Sequence, residues 1–405
     1  MMKVEPKVRG FICTTAHPVG CHAHVKEQIE YVKQHKTALS NAPKKVLVIG
    51  ASTGYGLASR IVASFGAGAS TIGVFFEKEA SGKRTASAGW YNSAAFEQEA
   101  QQAGLYAKSL NGDAFSAELK QQVIDLIKQD WEGQVDLIVY SLASPRRTDP
   151  ISGETFNSVL KPVGEDYTDK TVNVMSGEVS TVSLPPASEE EILHTEKVMG
   201  GEDWAYWIDA LAEAGVLAPK AMTVAYSYIG PEMTYPIYRE GTIGKAKEHL
   251  EKTAVQLSAK LAAHCEGRAL VSVNKGLVTQ ASSAIPVVPL YMSLLYKVMK
   301  EKNIHEGCIE QITRLFCDRL YTESEIPVDS KQRIRLDDWE MRDDVQAEVA
   351  KLWTQVQTEN LEAISDIQGY REAFYQLFGF QLAGVDYNQE IDVQIQVPSI
   401  QLETA

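Results

Sequence analysis

The sequence predicts an α/β fold built on a doubly wound parallel sheet, and three observations carry that prediction. Val46 to Ile49 is a short, wholly apolar run of the kind buried on both faces of a parallel sheet. It leads directly into a glycine turn and then a helical pattern, Leu57 to Phe65. Three further apolar runs, Thr71–Phe76, Leu105–Leu110 and Val135–Leu142, are separated by helical patterns, so strand and helix alternate four times between residues 46 and 145. With 44% hydrophobic and 23% charged residues, the 405-residue chain has the composition of a globular protein that buries one large core.

Taken in order, residues 1–45 precede the first strand of the sheet. Phe11 to Cys13 reads as a short strand and Cys21 to His35 as a helix. His17, His22 and His24 have no Cys, Asp or Glu partners at ligand spacing, so no metal site is expected. Gly50, Gly54 and Gly56 then form a G-x-x-x-G-x-G turn between strand and helix. In such a Rossmann-type unit a dinucleotide pyrophosphate rests on the helix N-terminus, reached by backbone N–H groups and favoured by the helix dipole. The spacing suits the short-chain dehydrogenase variety of the fold. Glu77 ends the second run, 21 residues after Gly56, close to the ~20 expected of the acid that binds the adenosine ribose hydroxyls. A carboxylate there repels a 2′-phosphate and so favours NADH over NADPH, although Lys78 beside it weakens the preference. Asp113, after the third strand, either accepts from the adenine amino group or caps the helix Ser116–Lys128. The fourth strand should line the cofactor cleft at its carboxyl end.

Regular alternation stops at Arg146. Residues 146–188 are rich in Gly, Pro, Thr and Val, with turn signals at Ser152-Gly153 and Ser176-Gly177, and read as a β-hairpin insertion at the mouth of the sheet. Arg146 and Arg147 either hold a phosphate or carboxylate there or are a solvated pair. Helical patterns at Glu189–Met199 and Trp204–Ala214 precede a fifth strand, Ala221–Tyr228. A loop, a long helix over Gly244–His264 and a sixth strand over Ala269–Asn274 follow. Lys275 to Ala284 is a hydroxyl-bearing loop placed to close over the nicotinamide end, with Thr279 the candidate hydrogen-bonding residue or else a turn threonine. Pro286–Lys302 and His305–Leu320 are helical and suggest a lid with an apolar inner face; Asp337–Phe380 is helical and acidic; the last 25 residues suggest an extended segment. One large domain is expected, with 46–145 and 221–284 as cofactor-binding core, 146–188 as hairpin insertion, 285–330 as helical substrate lid and 337–405 as C-terminal helical segment and tail.

A net charge of −14 argues against nucleic acid or an anionic membrane as partner, though not against an acidic ligand in a local basic pocket. No run approaches the ~20 apolar residues of a spanning helix. The charged N-terminus lacks the apolar segment of a signal peptide, and five scattered cysteines without a C-x-x-C pair read as free thiols, so a cytoplasmic setting is expected.

Short-chain dehydrogenases pair a Tyr with a downstream Lys that holds the nicotinamide ribose and lowers the phenol pKa. The usual Y-x-x-x-K occurs at Tyr296–Lys300, but after the sixth strand and in an apolar helix, which is the wrong place. After the fifth strand Tyr238 precedes Lys245 and Lys247, the stretched spacing of enoyl reductases, and Tyr228 faces the same cleft. The chain resembles the trans-2-enoyl reductase family of the Ter/FabV type nearly end to end. The resemblance is carried by RGFICTTAHPVGC (9–21), VLVIGASTGYGLASRI (46–61), GWYNSAAF (89–96), NGDAF (111–115), YSLASPRRTDP (140–150), VMGGEDW (198–204), AYSYIGPE (225–232), GTIGKAKEHLE (241–251), VTQASSAIPVVPLY (278–291) and MKEKNIHEGCIEQ (299–311). It implies NADH-dependent reduction of enoyl-CoA or enoyl-acyl-carrier-protein by a monomer. The family spacing Y-x8-K falls on Tyr238 and Lys247 and demotes Lys245. By the same resemblance Gly50, Ala51, Ser52, Thr53, Gly54, Tyr55, Phe76, Glu77, Asp113, Ala114, Ser141, Leu142, Lys247, Leu277, Val278 and Thr279 contact the cofactor, and Tyr228 the substrate. The acidic acyl handle, CoA or carrier protein, needs a basic patch, for which Lys297, Lys300 and Lys302 are candidates. Two rivals remain: a 3-oxoacyl or carbonyl reductase, which calls for the tighter Tyr–Lys spacing, and a non-catalytic NADH sensor, which calls for a broken Tyr or Lys.

Overall fold

The computed structural model describes residues 1–35 and 41–400. Its centre is a seven-stranded sheet of β1 (Lys45–Ile49), β2 (Ser70–Phe75), β3 (Ala107–Asn111), β4 (Val135–Tyr140), β5 (Leu217–Ser227), β6 (Arg268–Val273) and β7 (Arg333–Arg335). Across the sheet the order is β3-β2-β1-β4-β5-β6-β7, and every pairing is parallel. The order reverses between β1 and β4, which opens a crevice at their carboxyl ends, the binding position in doubly wound sheets. Val46 to Ile49 are fully buried, as a strand covered on both faces requires.

The helices are α1 (Pro18–His35), α2 (Gly54–Ile61), α3 (Ala88–Gln102), α4 (Ala117–Trp131), α5 (Glu189–Met199), α6 (Glu202–Glu213), α7 (Thr242–Cys265), α8 (Val288–Glu301), α9 (Cys308–Leu315), α10 (Asp343–Gln355), α11 (Leu361–Ile364) and α12 (Ile367–Gln376). Residues of α1, α2, α3 and α9 bury one face of the sheet; α4, α6 and α7 bury the other. A third apolar cluster joins α8, α10 and α12 to Tyr238, Leu277 and Val278, so α8 of the expected lid and the helices of the C-terminal segment pack directly against the carboxyl edge.

Several elements depart from the sequence expectation. Residues 146–188 form two antiparallel hairpins rather than one, Arg146–Thr148 with Thr155–Asn157 and Tyr167–Asn173 with Glu178–Leu184. Strand β7 was not expected, because its three residues carry a single apolar side chain, Ile334, and show no period; pairing with β6 makes it a strand. The C-terminal helical stretch is broken into α10, α11 and α12. The pattern after Glu77 predicts a polar loop to Gly89 and a helix over Ser93–Ala103, but α3 starts five residues earlier, at Ala88, since Trp90 and Tyr91 are buried beneath the C-terminal tail. The Trp90 indole donates to the Ile395 carbonyl at 2.7 Å and the Tyr91 hydroxyl to the Val393 carbonyl at 2.8 Å. The tail is therefore a strap: Ser399 donates through both N and Oγ to the buried Glu97 at 2.8 Å, and Ser109 N–H donates to Ser399 Oγ.

Candidate active site

The glycine turn is shaped by contact with the next strand of the crevice. Gly50 has φ +85°, and a Cβ there would lie 2.0 Å from the Ser141 carbonyl oxygen. A Cβ on Gly56 would lie 1.8 Å from the Gly50 carbonyl oxygen, so α2 packs directly on the turn. Thr53 precedes α2 in extended conformation and its side chain makes no cap bond. The first N–H groups of the helix thus keep free valences toward the crevice, as a pyrophosphate requires. Tyr55 donates its hydroxyl to the Lys275 carbonyl at 2.7 Å, tying this turn to the loop after β6, and Thr279 Cγ2 would lie 3.8 Å from a Cβ on Gly54. Thr279 is itself held in a turn with Ser282, its backbone N–H donating to Ser282 Oγ at 2.9 Å. Leu277 and Val278 are buried, the latter donating its N–H to the Tyr296 hydroxyl.

At the far end of the crevice Glu77 Oε1 accepts from Ser52 Oγ at 2.6 Å. The carboxylate rests on the backbone of Gly89, where a Cβ would come within 2.0 Å of Oε1. Burial raises the Glu77 pKa, opposed by hydrogen bonds from Ser52 and Ser87. Asn111 fixes the Glu77 backbone through two bonds, at 2.8 and 3.0 Å. Phe76 is 79% exposed, an uncovered aromatic face beside the acid, as adenine stacking needs. The donors, the acid and the aromatic face fit a dinucleotide. Asp113 does not cap α4: Ser116 does, accepting from Leu119 N–H, while Asp113 accepts from Phe115 N–H at 2.9 Å and stays exposed. Ala114 is buried beside it, and Ser141 and Leu142 line the opposite strand end.

Arg147 is not available to an anion. It is buried, with its guanidinium on Asp149, Glu202 and the Lys197 carbonyl at 2.9, 2.7 and 2.7 Å. Tyr296 and Lys300 are likewise structural: the Tyr296 oxygen accepts from Val278 N–H and Lys300 pairs with Asp366.

Tyr238 and Tyr228 meet edge to face, ring centroids 5.0 Å apart at 72°. Tyr238 is 7% exposed, and the glycines after it are close-packed beneath its turn: a Cβ on Gly244 would lie 1.8 Å from the Arg239 carbonyl oxygen and 2.7 Å from that of Tyr238. The hydroxyl of Tyr228 donates to Glu340 Oε1 at 2.9 Å. No described group hydrogen-bonds the Tyr238 hydroxyl, and burial alone raises its pKa. The expected lowering of that pKa by lysine is therefore absent here. Lys247 donates instead to the Tyr226 carbonyl at 3.2 Å, which leaves two of its three protons for other acceptors. A neutral phenol is the better hydrogen-bond donor, so the pair suits oxyanion binding. Glu340 was not legible in the sequence: it stands in the acidic run Asp337 to Asp344, where nothing marks which carboxylates turn inward.

Residues 84–321 match the family model described as the trans-2-enoyl-CoA reductase catalytic region, and residues 3–82 that of the NAD(P)H binding domain of trans-2-enoyl-CoA reductase. Residues 328–391 match the model described as the enoyl reductase FAD binding domain. The chain is 66% identical over 399 residues, 98% of each chain, to an enoyl-[acyl-carrier-protein] reductase [NADH] of Coxiella burnetii. It is 59% identical to a trans-2-enoyl-CoA reductase [NADH] of Ruminiclostridium cellulolyticum, over 98% of this chain and 100% of that one. The Treponema denticola trans-2-enoyl-CoA reductase solved in complex with NAD superposes with a TM-score of 0.94 at 52% identity, covering 99% and 100% of the two chains. That of Clostridium acetobutulicum with NADH gives 0.95 at 47% identity, with the same coverage. Residues 328–391 do not fit a flavin: Val345, Val349, Ile367, Tyr370 and Phe374 fill the interior against α8, and no glycine turn leads into a helix there.

Burial lowers the Lys247 pKa to about 8, opposed by the Glu251 carboxylate. The ammonium is charged below that pH and neutral above it. The kcat/KM for NADH is therefore expected to fall as pH rises through about 8. In Lys247→Arg, whose guanidinium stays charged, the falling limb should shift to higher pH. Steady-state profiles check this; an unmoved limb would assign it to another group.

Proposed function

The chain belongs to the trans-2-enoyl-CoA reductase family, and from that premise we propose how its residues carry out the NADH-dependent reduction of trans-2-enoyl thioesters to saturated acyl thioesters, the last step of a fatty acid elongation cycle. Bound NADH supplies the hydride, which goes to the β-carbon of the enoyl thioester. The residues Gly50 to Tyr55 receive the pyrophosphate on the first turn of α2, Phe76 and Glu77 take the adenosine, and Asp113-Ala114, Ser141-Leu142 and Leu277 to Thr279 line the rest of the cofactor site. Lys247 holds the nicotinamide ribose with its two unengaged protons. Tyr238 donates to the thioester oxygen, where negative charge develops as the β-carbon is reduced. Tyr228 walls the substrate against it. The observation that carries this assignment is the contrast between the two phenols: the Tyr228 proton is engaged by Glu340 and that of Tyr238 is not.

Within this reading, 46–145 and 221–284 make up the cofactor core, 146–188 the inserted hairpins, 285–330 the lid and 337–405 the closing C-terminal segment. The free cysteines, with Cys13 and Cys21 buried, support a reducing cytoplasmic setting. Among the described residues no helix is long and apolar enough to cross a membrane.

The acyl handle is acidic whether it is CoA or carrier protein. Lys297, Lys300 and Lys302 are the less suited candidates, because Glu301, Asp366 and Asp344 each pair with one of them. An N-terminal hairpin pairs Val8–Arg9 with Ile12–Cys13, and Lys7, Arg9, Lys83 and Arg84, beside a Lys3–Glu5 pair, line a cleft of about 540 Å³ between it and the loop after Glu77. None of the four is in a salt bridge among the described residues, and Phe11 and Ile12 expose apolar surface on the same hairpin. An acidic carrier protein with an apolar contact fits this cleft. Lys83→Glu with Arg84→Glu is expected to raise KM for an enoyl-carrier protein about tenfold or more, steeply at low salt, with kcat unchanged. Unchanged KM at low salt would place the carrier elsewhere.

Tyr238→Phe removes the oxyanion donor and should lower kcat by about 10²–10³. Tyr296→Phe removes only the acceptor of the Val278 N–H and should keep turnover within about tenfold of the parent. Retained turnover in Tyr238→Phe, with loss in Tyr296→Phe, would overturn the assignment.

A further inference from the structure

Glu340 is fully buried, and the reaction as described above does not use it. It lies in the turn between β7 and α10 and receives three donors. Oε1 accepts from the hydroxyls of Tyr228 at 2.9 Å and Tyr291 at 2.7 Å, and Oε2 accepts from the Gly276 N–H at 2.7 Å. Gln346 Nε2 donates to both the Glu340 carbonyl, at 2.7 Å, and the Tyr291 hydroxyl, at 3.1 Å, which sets the direction of the Tyr291 bond. The backbone is cut to fit. A Cβ on Gly276 would lie 2.9 Å from the Tyr228 hydroxyl oxygen and 3.4 Å from Glu340 Oε1, and one on Gly230 would lie 3.0 Å from the same hydroxyl.

No cation forms a salt bridge with Glu340 among the described residues. Burial raises the Glu340 pKa, opposed by Lys275, whose buried Nζ lies on the Gly276 carbonyl at 3.1 Å, and by the Gly276 and Tyr291 donors, while Asp337 adds to the rise. Burying a carboxylate on neutral donors is costly, and well-packed apolar side chains of similar size would stabilise such a site at least as well. A role in stability is therefore a poor account of Glu340. What the carboxylate does is accept, and a tyrosine hydroxyl has a single proton to give.

We propose that Glu340 is a positioning residue of the reduction: by engaging the Tyr228 proton and fixing that ring edge-on to Tyr238, it leaves Tyr238 as the phenol that donates to the thioester oxygen. The proposal rests on the assignment of Tyr238 above. In the neutral isostere Glu340→Gln the carboxamide oxygen still accepts from Gly276, and its NH2 group faces the two phenol oxygens as a donor. The Tyr228 proton is then released toward the cleft and competes with Tyr238 for the substrate oxygen.

The test is a double-mutant cycle between Glu340→Gln and Tyr228→Phe, read in kcat, in KM for NADH and in thermal midpoint. Glu340→Gln alone is expected to lower kcat about tenfold with KM for NADH and the thermal midpoint little changed. Added to Tyr228→Phe, it should change kcat less than about twofold, because the proton it would release is gone. An equal loss of kcat in both backgrounds would make Glu340 a structural residue and overturn the proposal, as would parental kcat in the single variant. If Gln prevents folding, Glu340→Asp, which keeps the charge but withdraws it from Tyr228, takes its place in the same cycle with the same criteria. Failure of the underlying assignment is seen separately, as turnover surviving Tyr238→Phe.

Discussion

The close approach of Gly50 to the Ser141 carbonyl is the constraint on which the remaining arrangement depends. Strand β1 must turn sharply at its carboxyl end, and the left-handed φ of Gly50 together with its missing Cβ lets that turn press against the end of β4. Gly56 then allows α2 to sit on the turn, so the helix N-terminus faces the crevice where the sheet order reverses. The proposed cofactor site follows from this placement: its amide donors come from the first turn of α2, its acid from the end of β2, and its closing loop from the end of β6, tethered through Tyr55 to Lys275.

The second half of the site is built by long-range packing rather than by local turns. Tyr228 leaves the end of β5, Tyr238 lies in the following segment, and the carboxylate that distinguishes them arrives from beyond β7, more than a hundred residues later. The two phenols in edge contact differ in one hydrogen bond, that of Tyr228 to Glu340, and that bond needs two glycines, at 230 and 276, to make room.

Much of the fold was legible because its signals are local. An apolar run buried on both faces, a glycine turn and a helix repeat in order, and the strands β1 to β6 lie within a few residues of the apolar runs that predict them. Strand β7 was not, because Arg-Ile-Arg becomes a strand only by pairing with β6. The start of α3 was misjudged for a similar reason: Trp90 and Tyr91 are held by the strap at Val393 and Ile395, contacts about 300 residues apart in sequence, with separations of 305 and 302. At the site, glycines and the acid after β2 announce themselves by spacing. Charge state and partner choice do not. Arg147 looked free beside Arg146 but is enclosed by Asp149 and Glu202, and Glu340, unmarked among its acidic neighbours, is buried. The lysines of α8 and the residue after it looked basic but are neutralised by carboxylates on α8 itself, on α10 and beside α12.

The central claim, that a free phenol beside a dinucleotide site stabilises charge on a thioester oxygen during conjugate reduction, is tested most directly by substrate choice. NADH oxidation should be followed with crotonyl-CoA and with acetoacetyl-CoA, and the product of the first recovered. The account predicts NADH consumption with the enoyl thioester and a saturated butyryl product, with the oxo thioester left unreduced. Consumption with acetoacetyl-CoA alone would mean that hydride goes to a carbonyl carbon, and would contradict the role given to Tyr238.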